Sequence, residues 1–365
     1  MGTLDIDNAS KSDQTGTVQE FQIAPETTDG STGNGETTWQ NDKWTTYLGY
    51  FNKVPDLKSA LILKSVFNVG KGYTTDDPTQ VLLDNIIGWG KDSFDDILFN
   101  QDLTKNIGGE SYAEIIRDEE SGRLINLKPL DPSTIRVVTN EQGMIKRYEQ
   151  LSKSNKEIKK FKPEDLFVLT NNRLADNIHG TSDVVALQDT INADMESFND
   201  MRKGSHRQAR PMIMFKLGTD NPTKIAAFVK KMDEATNKGE NIYIPDDDNS
   251  VKVDIVQISL SQVMLEWRND LRGRFYRAIQ IPQVVASGSG QSTESESKTL
   301  YFTFEQVVEH RQRYLEKQLW NQLAIKINLV PPATLAVNLQ NDESKDGAGV
   351  AEIAQPQDTQ VGVGA

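Results

Sequence analysis

Residue types that commonly carry chemistry are sparse in this sequence, and their spacing does not favour it. There is no cysteine, so disulfide bonds and thiolate metal sites are excluded. The three histidines, His179, His206 and His310, never recur at the three- to five-residue spacing that is typical of a zinc pair. We therefore expect neither a metal site built on histidine nor a bound cofactor.

Two glycine-lysine pairs resemble phosphate-binding loops. A Walker motif needs a glycine five positions before the Gly-Lys pair and a serine or threonine directly after the lysine. Neither Gly70-Lys71 nor Gly90-Lys91 meets either requirement. Gly288-Ser289-Gly290 lacks the third glycine and the preceding strand of a dinucleotide fingerprint, and it is too short for a hydrolase elbow. The sequence therefore predicts a protein that is not an enzyme.

Paired acids and clustered bases are the remaining candidates. Asp95-Asp96 and Glu119-Glu120 are typical of solvated turns and helix ends rather than of acid/base catalysis. Between positions 201 and 216 there are five cations and no acid, and the four that could face phosphate are Arg202, Lys203, Arg207 and Arg210. The residues alone favour basic groups that complement a helix dipole, with the helix ending at Gly204, over a phosphate-facing collar.

Acidic charge is concentrated at the two ends of the 365-residue chain, whose net charge is −13. Residues 1–42 hold eight acids and one lysine, and residues 341–365 hold five acids and one lysine. Both ends are rich in small polar residues and poor in apolar ones, so we expect both to be disordered. No apolar run is long enough for a membrane helix, and the acidic N-terminus does not resemble a secretory signal; we expect a soluble, non-secreted protein.

An α+β fold is predicted for the body between these ends. Apolar spacing predicts mainly helices up to residue 100, with short ones over 60–67 and 81–87. Alternating segments around Tyr112, Leu124, Ile135 and Leu166 then predict a small antiparallel sheet, in which residues 118–122 form a hairpin turn.

Three long helices are predicted in the second half of the chain. The first covers 182–201 with Ser182 as its N-cap, and the second covers 261–279. The chain between these two helices alternates strand and helix patterns, so it predicts a compact α/β module. A flexible polar stretch follows, and the third helix covers 300–325. A final strand is predicted at 335–339.

Aromatic residues and arginines recur along these helices. We interpret Phe198, Trp267, Phe275 and Phe304 as core or subunit-packing side chains, not as a cofactor pocket. The arginines between 268 and 277 alternate with acids, which is typical of a solvated face or of ion pairs to a neighbouring copy.

Four short motifs, in this order, resemble those of the portal proteins of tailed bacteriophages and related viruses. They are GGESYAEIIRD (residues 108–118), LINLKPLDPSTIRVV (124–138), HGTSDV (179–184), and QIPQVV (280–285) with the polar stretch that follows it. The resemblance covers residues 45–340. Ser111 departs from it, since the family's Gly-x-Ala-Tyr pattern has alanine there, and the polar end after Leu339 is too short for a large helical crown.

The resemblance implies a portal-like domain organisation. A wing of helices and a small antiparallel sheet is followed by two stem helices flanking an α/β clip, then by a tunnel loop and a long wing helix. The implied divisions are 1–42 (disordered tail), 43–181 (wing), 182–207 (first stem helix), 208–257 (clip), 258–282 (second stem helix), 283–298 (tunnel loop), 299–340 (long wing helix and final strand) and 341–365 (disordered tail). The tunnel-loop residues that would face DNA are Ser287, Gly288, Ser289, Gly290, Gln291, Ser292, Thr293, Glu294 and Ser295.

The resemblance also implies a function and a set of partners. The chain would form a ring, usually of twelve copies, at one capsid vertex, through which double-stranded DNA is packaged, retained and ejected. Its partners would be other copies of itself, the terminase large subunit, the head-tail adaptor and the major capsid protein, without a membrane and without a cofactor. It would assemble in the host cytoplasm and reside in the virion. The alternatives are another virion or tail structural protein, and an enzyme whose site is not recognised from the sequence.

Overall fold

The protein is described from a computed structural model. The structure describes residues 30–31, 35–152, 157–209, 212–216, 221–238, 252–256, 262–287 and 294–331. Everything stated below about the fold refers to these residues.

The first part of the chain is mainly helical. Its elements are β1 (Gly30–Ser31), β2 (Thr37–Gln40), α1 (Trp44–Lys53), α2 (Pro55–Val69), β3 (Tyr73–Thr74), α3 (Asp77–Asp84) and α4 (Phe94–Gly108). The predicted helix at 60–67 is therefore longer, and the one at 81–87 begins earlier and ends at Asp84. Pro55 and Pro78 stand in the first turns of α2 and α3, where proline's missing N–H costs nothing.

Two antiparallel sheets follow, where the sequence predicts one. Their strands are β4 (Glu110–Arg117), β5 (Leu124–Leu130), β6 (Ile135–Thr139), β7 (Ile145–Leu151), β8 (Glu157–Phe161) and β9 (Leu166–Thr170). One sheet has the order β5-β4-β9, and the other has the order β1-β2-β6-β7-β8. The turn predicted at 118–122 is present between β4 and β5. It is closed by a 2.9 Å hydrogen bond from Gly122 N–H to the carbonyl of Asp118.

The second half contains the long helices. Its elements are α5 (Gln188–Ala209), β10 (Met212–Lys216), α6 (Pro222–Lys238), β11 (Lys252–Val256), α7 (Gln262–Ile279), α8 (Gln283–Ser287), α9 (Glu294–Leu323) and β12 (Asn328–Leu329). Strands β10 and β11 pair antiparallel around α6, which confirms an α/β module between two long helices. The end predicted for α7 at Ile279 is confirmed as well.

Three corrections concern helix ends. The first long helix begins at Gln188 after a 3-10 turn, not at Ser182; the Ser182 hydroxyl instead accepts from Val184 N–H and donates to the carbonyl of Ile107. Gly204 lies inside α5 and does not end it. The third long helix begins at Glu294 and ends at Leu323, so it starts earlier and ends earlier than predicted.

Part of the predicted disordered tail is a strand. Strand β2, within residues 1–42, pairs antiparallel with β6, and Trp39 lies opposite Val137. Its anchor is Glu36, which accepts hydrogen bonds of 2.9 and 2.8 Å from the Arg147 guanidinium. These hydrogen bonds, with further help from Lys146, lower the pKa of Glu36 to about 2. The prediction of disorder is therefore wrong for residues 30–31 and 37–40, which form β1 and β2. Residues 1–29 and 32–34 and the strand predicted at 335–339 lie outside the described residues.

The free edge of β9 is closed by side chains of α9. Gln322 donates from Nε2 to the carbonyl of Val168 and accepts from Val168 N–H at its Oε1, both at 2.8 Å. Two turns earlier, the Tyr314 hydroxyl accepts from Thr170 N–H at 2.9 Å. Because a backbone group left without a partner in a buried place is costly, this helix stands where a further strand would pair.

Two large hydrophobic clusters hold the helices together, and the first of them also includes one of the sheets. One lies between α3, α4, the sheet β5-β4-β9 and the second half of α9, and it includes Leu98, Phe167 and Leu319. The other packs α1 and α2 against the bases of α5 and α7 and against the first half of α9, and it includes Leu61, Ile191 and Phe275. The start of α5 and the end of α7 are therefore buried in the body of the protein, and we call these parts the bases of the two helices. The opposite ends of both helices extend beyond the body.

Candidate functional site

The α5–α7 pair is the feature on which the functional interpretation rests. Arg268 of α7 binds the Asp194 carboxylate of α5 through two nitrogens, at 2.9 and 3.3 Å. The same guanidinium lies over the Phe198 ring, 5.3 Å from its centroid, and Trp267 Nε1–H donates to the Ser197 hydroxyl at 3.2 Å. Arg268 therefore pairs within its own chain, and it holds the two helices in register.

A corner after α7 leads toward the predicted tunnel loop. Gln280 has a positive φ of 62°, a conformation that a residue with a side chain adopts only at a cost in free energy. Its Oε1 accepts a 2.7 Å hydrogen bond from Nη2 of Arg311 in α9. The chain thus turns sharply at Gln280 into α8. The hydrogen bond from Arg311 of α9, the helix that follows the predicted loop, stabilises this turn.

A cluster of buried charges lies behind this corner. Lys64 of α2 forms an ion pair with Asp183, and both side chains are at least nine-tenths buried. Asp102 of α4 binds Lys105 at 2.6 Å in a fully buried position. Asp183 also accepts from Asn171 at 2.9 Å. Asn68 of α2 donates to the same Asp102 carboxylate at 2.9 Å, so the cluster ties α2, α4 and the chain that leads into α5 to one another.

Burial and charge compete in this cluster. Burial lowers the pKa of Lys64 to about 8, against the attraction of Asp183. Burial lowers the pKa of Arg311 as well, although Asp183 and Asp102 act in the opposite direction. Burial opposes ionisation of Asp102 too, but Lys105 and hydrogen bonds to its carboxylate outweigh it, and its pKa is lowered. We call this cluster, with the chain that leads into α5, the junction. Its paired charges favour a structural role over proton transfer.

Two of the sequence motifs meet at the junction. Gly109 and Gly180 approach so closely that a Cβ on Gly180 would lie 2.1 Å from the carbonyl oxygen of Gly109. Asn171 N–H donates to that same carbonyl at 2.7 Å. Beside them, Nδ1 of His179 lies 2.9 Å from the buried Glu110 carboxylate. The motifs at 108–118 and 179–184 are therefore parts of one packed junction that positions the start of α5.

The structure separates the predicted DNA-facing residues into three groups. Arg202 and Lys203 are exposed on α5, and Lys203 lies 3.4 Å from Asp200. Arg207 lies on α5, so the basic cluster extends along the helix instead of following its end. Arg210 lies outside the described residues. The basic residues therefore continue toward the end of α5 that is distant from the junction.

The structure places three of the predicted tunnel-loop residues in helices. Ser287 belongs to α8, and Glu294 and Ser295 belong to α9, so these three residues are helical. Gly288, Ser289, Gly290, Gln291, Ser292 and Thr293 lie outside the described residues. Sequence reasoning missed the helical ends because serine-rich segments with glutamate are typical of linkers, yet serine and glutamate are also favoured at helix starts.

Sequence reasoning also missed the supporting residues of the junction. Lys64 carried a usable signal, since it is a charged residue within an apolar helical run, and its partner Asp183 follows directly after the motif serine. Gln280 and Arg311 carried none, because their interaction joins residues 31 positions apart.

The loops that resemble phosphate sites have structural roles. Gly70 caps α2 with a positive φ, and Lys71 N–H donates to the Val330 carbonyl at 3.0 Å. Gly88 is held by the side chain of Asn126 through hydrogen bonds of 2.9 and 3.0 Å. Within the described ranges there is no group of three or more histidine and acidic side chains that could hold a metal ion. Each helix in those ranges is too short or too polar to cross a lipid bilayer.

Comparison with solved structures shows a similar fold in chains of gene transfer agent particles and in a phage portal protein. A chain of the virion of a native gene transfer agent particle is 15% identical with a TM-score of 0.63, and the match covers 88% of this chain and 93% of that one. A chain in the neck of such a particle, computed with C12 symmetry, is 14% identical with a TM-score of 0.62 over 85% and 90% of the two chains. An HK97-family phage portal protein from Corynebacterium diphtheriae is 15% identical with a TM-score of 0.51 over 80% and 97%.

Comparison of sequences identifies the family. A search of curated proteins gives no match. The family described as phage portal protein matches residues 96–343, a range that begins in α4 and includes both sheets' central strands, the α5–α7 pair, the α/β module and α9. Because this match covers well over half of the 365 residues, the chain belongs to the phage portal protein family.

Proposed function

We propose that this chain forms the ring-shaped channel at one capsid vertex through which double-stranded DNA is packaged, retained and ejected. The observation that carries the proposal is the family match over residues 96–343. Portal proteins are structural proteins rather than enzymes. In agreement with this, the two glycine-lysine segments that resemble phosphate-binding loops have structural contacts: Gly70 caps α2, and Gly88 bonds to Asn126.

The parts of a portal can be assigned to the observed elements within this proposal. We assign α1 to α4, both sheets and α9 to the wing, α5 and α7 to the stem, and the β10-α6-β11 module to the clip. The segment between α8 and α9 is then the tunnel loop. The α5 helix supports this assignment, because its 22 residues span about 33 Å at 1.5 Å per residue, and its far half extends beyond the core.

DNA would pass along the ring with little adhesion. Each Lys or Arg contact to phosphate adds to a salt-dependent affinity, so a lining with many such contacts would hold the duplex. Arg202 and Lys203 are exposed on α5, and Asp200 lies beside Lys203, which reduces the local positive charge. We infer that the basic part of α5 guides the phosphate backbone without retaining it.

The proposed partners follow from the position of a portal in a particle. They are further copies of this chain, in a ring of twelve, together with double-stranded DNA, a terminase large subunit, a head-tail adaptor and the major capsid protein. The clip would bind the terminase and later the adaptor. The chain would assemble in the host cytoplasm and remain at the portal vertex of the virion.

Ring formation is the first test. The purified full-length chain, measured by mass photometry and imaged by negative-stain electron microscopy, should give closed rings with a central hole and no nucleotide turnover. A monomer at micromolar concentration would overturn the proposal. Open assemblies such as tubes or sheets would favour another virion or tail structural protein.

DNA guidance needs a separate measurement. If Arg202 and Lys203 face phosphate, the double variant Arg202→Gln, Lys203→Gln should show a weaker salt dependence of duplex binding to the ring. The matched control replaces two exposed lysines of α6 with glutamine, Lys224 and Lys230. Equal salt dependence in the two double variants would contradict a phosphate-facing role.

A further inference from the structure

The far half of the α5–α7 pair exposes large apolar side chains. Met195, Phe198, Val263, Leu265 and Trp267 are each between 47% and 70% exposed, although they lie on well-formed helices. Scattered apolar residues on a surface are ordinary, but five on one pair of helices form a surface that a partner would cover. Their distribution around the pair indicates which partner that is.

One side of the pair is a groove. Its floor is formed by Ile191, Leu271 and Phe275, and its walls include Met195 and Tyr276. On α7, Leu265 stands eleven positions before Tyr276, which places both on the same face of the helix and extends the apolar surface outward. We call this surface, defined by Met195, Leu265 and Tyr276, the groove side.

The other side of the pair is a ridge. Val263 and Trp267 are four positions apart, so they lie one above the other on a face of α7 that points away from the groove. The hydrogen bond from Trp267 to Ser197 fixes this indole on the side of α5 opposite Met195. We call the surface defined by Val263 and Trp267 the ridge side.

Two different apolar surfaces on opposite sides of one element suit a particular kind of assembly. A head-to-tail contact uses two distinct surfaces of the same molecule, and it closes into a ring when the rotation between copies allows. A two-fold contact would need only one self-complementary surface. We propose that the ridge side of one copy packs into the groove side of the next copy, so that Val263 and Trp267 are buried against Met195, Leu265 and Tyr276 of the neighbour. This inference rests on the proposed ring function and names the surfaces that build the ring.

The charges around the two sides are compatible with this contact. The groove side is bordered by Asp56 and Arg272, and the ridge side by Asp270 and Arg274, which form an ion pair at 2.9 Å. Each side thus brings one acid and one base to the contact. Opposite charges can therefore face each other at its rim, and a foreign partner of strong single charge is less well matched.

Cysteine cross-linking tests the contact directly, because the chain has no cysteine of its own. In the double variant Met195→Cys, Val263→Cys, the two thiols lie on opposite sides of one pair and cannot join within one copy. Mild oxidation of the assembled protein should produce a ladder of covalent multimers on a denaturing gel, up to the full ring.

Three control variants separate this contact from others. Met195→Cys alone and Val263→Cys alone should give no ladder, because identical positions do not meet in a head-to-tail contact. Met195→Cys with Leu265→Cys places both thiols on the groove side and should also give none. Dimers from either single variant, or a ladder as strong from the same-side pair, would overturn the proposal.

Ring formation is measured in parallel so that the two proposals fail separately. Rings that form without a ladder in the opposite-side variant would refute these surfaces and leave the ring function intact. Absence of rings in the unmodified chain would refute the ring function itself. In addition, Trp267→Ala should raise the concentration at which rings dissociate at least tenfold, whereas Trp89→Ala, an exposed tryptophan far from α7 in sequence, should leave it unchanged.

Discussion

Arg311 donates a 2.7 Å hydrogen bond to the side chain of Gln280, across 31 residues and across the segment that we assign to the tunnel loop. Gln280 holds a positive φ of 62° at the end of α7, and Arg311 lies in the middle of α9. This one contact therefore joins the chain before the loop to the helix that follows it. The first prediction concerns the strength of that contact.

Gln280→Ala should lower the free energy of unfolding by about 1.5–3 kcal/mol, the range for a hydrogen bond to a charged group. Gln280→Gly loses the same bond but tolerates the positive φ, so it should be destabilised less. Urea unfolding at fixed protein concentration measures both. A glycine variant that is less stable than the alanine variant would show that backbone strain has no part here.

The Lys64–Asp183 pair should make stability depend on alkaline pH. The pKa of Lys64 is about 8 in the folded protein and 10.5 ordinarily, so between these values the unfolded chain binds more protons. The contribution of Lys64 to stability therefore rises with pH from 8 to 10.5, by about 3–4 kcal/mol at about 1.4 kcal/mol per pH unit. Below pH 8 this contribution is constant.

Lys64→Met removes that titration while tyrosines and other lysines titrate as before. The difference in unfolding free energy between the unmodified chain and this variant should thus grow in favour of the unmodified chain from pH 8 to 10.5. The variant should also be less stable at pH 7, because Asp183 keeps a buried charge without its cation. A difference that does not change with pH would contradict the assignment.

The anchor of β2 should be lost in acid. The pKa of Glu36 is lowered to about 2, mainly by its hydrogen bonds with Arg147. Its contribution to stability is complete above its ordinary value of 4.5 and disappears as pH falls through 2. Hydrogen exchange of the Thr38 amide, within β2, should therefore accelerate as pH drops across this range after correction for intrinsic rates. Glu36→Gln should show fast exchange already at pH 7, with no such dependence.

Gly180 should tolerate no side chain. A Cβ there would lie 2.1 Å from the Gly109 carbonyl oxygen and 2.7 Å from that of Asn171, and both are backbone atoms. Gly180→Ala should lower the free energy of unfolding by at least the roughly 1–3 kcal/mol typical of overpacking, and the melting temperature with it. Gly49→Ala is the matched control, since no atom lies within 4 Å of its Cβ and alanine favours the α1 helix. Similar melting temperatures for the two variants would refute the close approach.

Gln322 should contribute more to the free energy of unfolding than an exposed glutamine of the same helix. Both of its hydrogen bonds to Val168 serve backbone groups that otherwise lack a strand partner. Gln322→Ala should cost about 1–3 kcal/mol, because it leaves these groups unsatisfied. Gln306→Ala, at an exposed position of the same helix, should change stability by less than about 0.5 kcal/mol. Chemical denaturation distinguishes the two outcomes.

The sequence predicts helix-rich and sheet-rich parts well where one periodic pattern dominates. The apolar stripe of α7 reveals its true end at Ile279, and the module between the long helices is visible from its alternating patterns. Strand β7 shows no clean alternation in the sequence, because the neighbours Lys146 and Arg147 put a charge on each of its faces and Glu149 is buried. Strand β2 was missed because its partner β6 lies about 100 residues away.

Local patterns are least informative about the candidate site. The start of α5 depends on Ser182, which resembles an N-cap but bonds to Ile107, 75 residues earlier. The last residue of α8 and the first residues of α9 lie within a serine-rich stretch that is typical of a linker. Each of the motifs at 108–118 and 179–184 is a weak signal in the sequence. The fold shows that they form one packed site, since Gly109 and Gly180 lie against each other.

The closed edge of β9 has a consequence for how copies of this chain can associate. An open strand edge invites another molecule to add a strand, and repeated addition yields fibrils without a defined end. Because Gln322 and Tyr314 already occupy Val168 and Thr170, intermolecular sheet growth is blocked on this side of the sheet. Copies that come close to one another are therefore protected at this edge against amyloid-like aggregation.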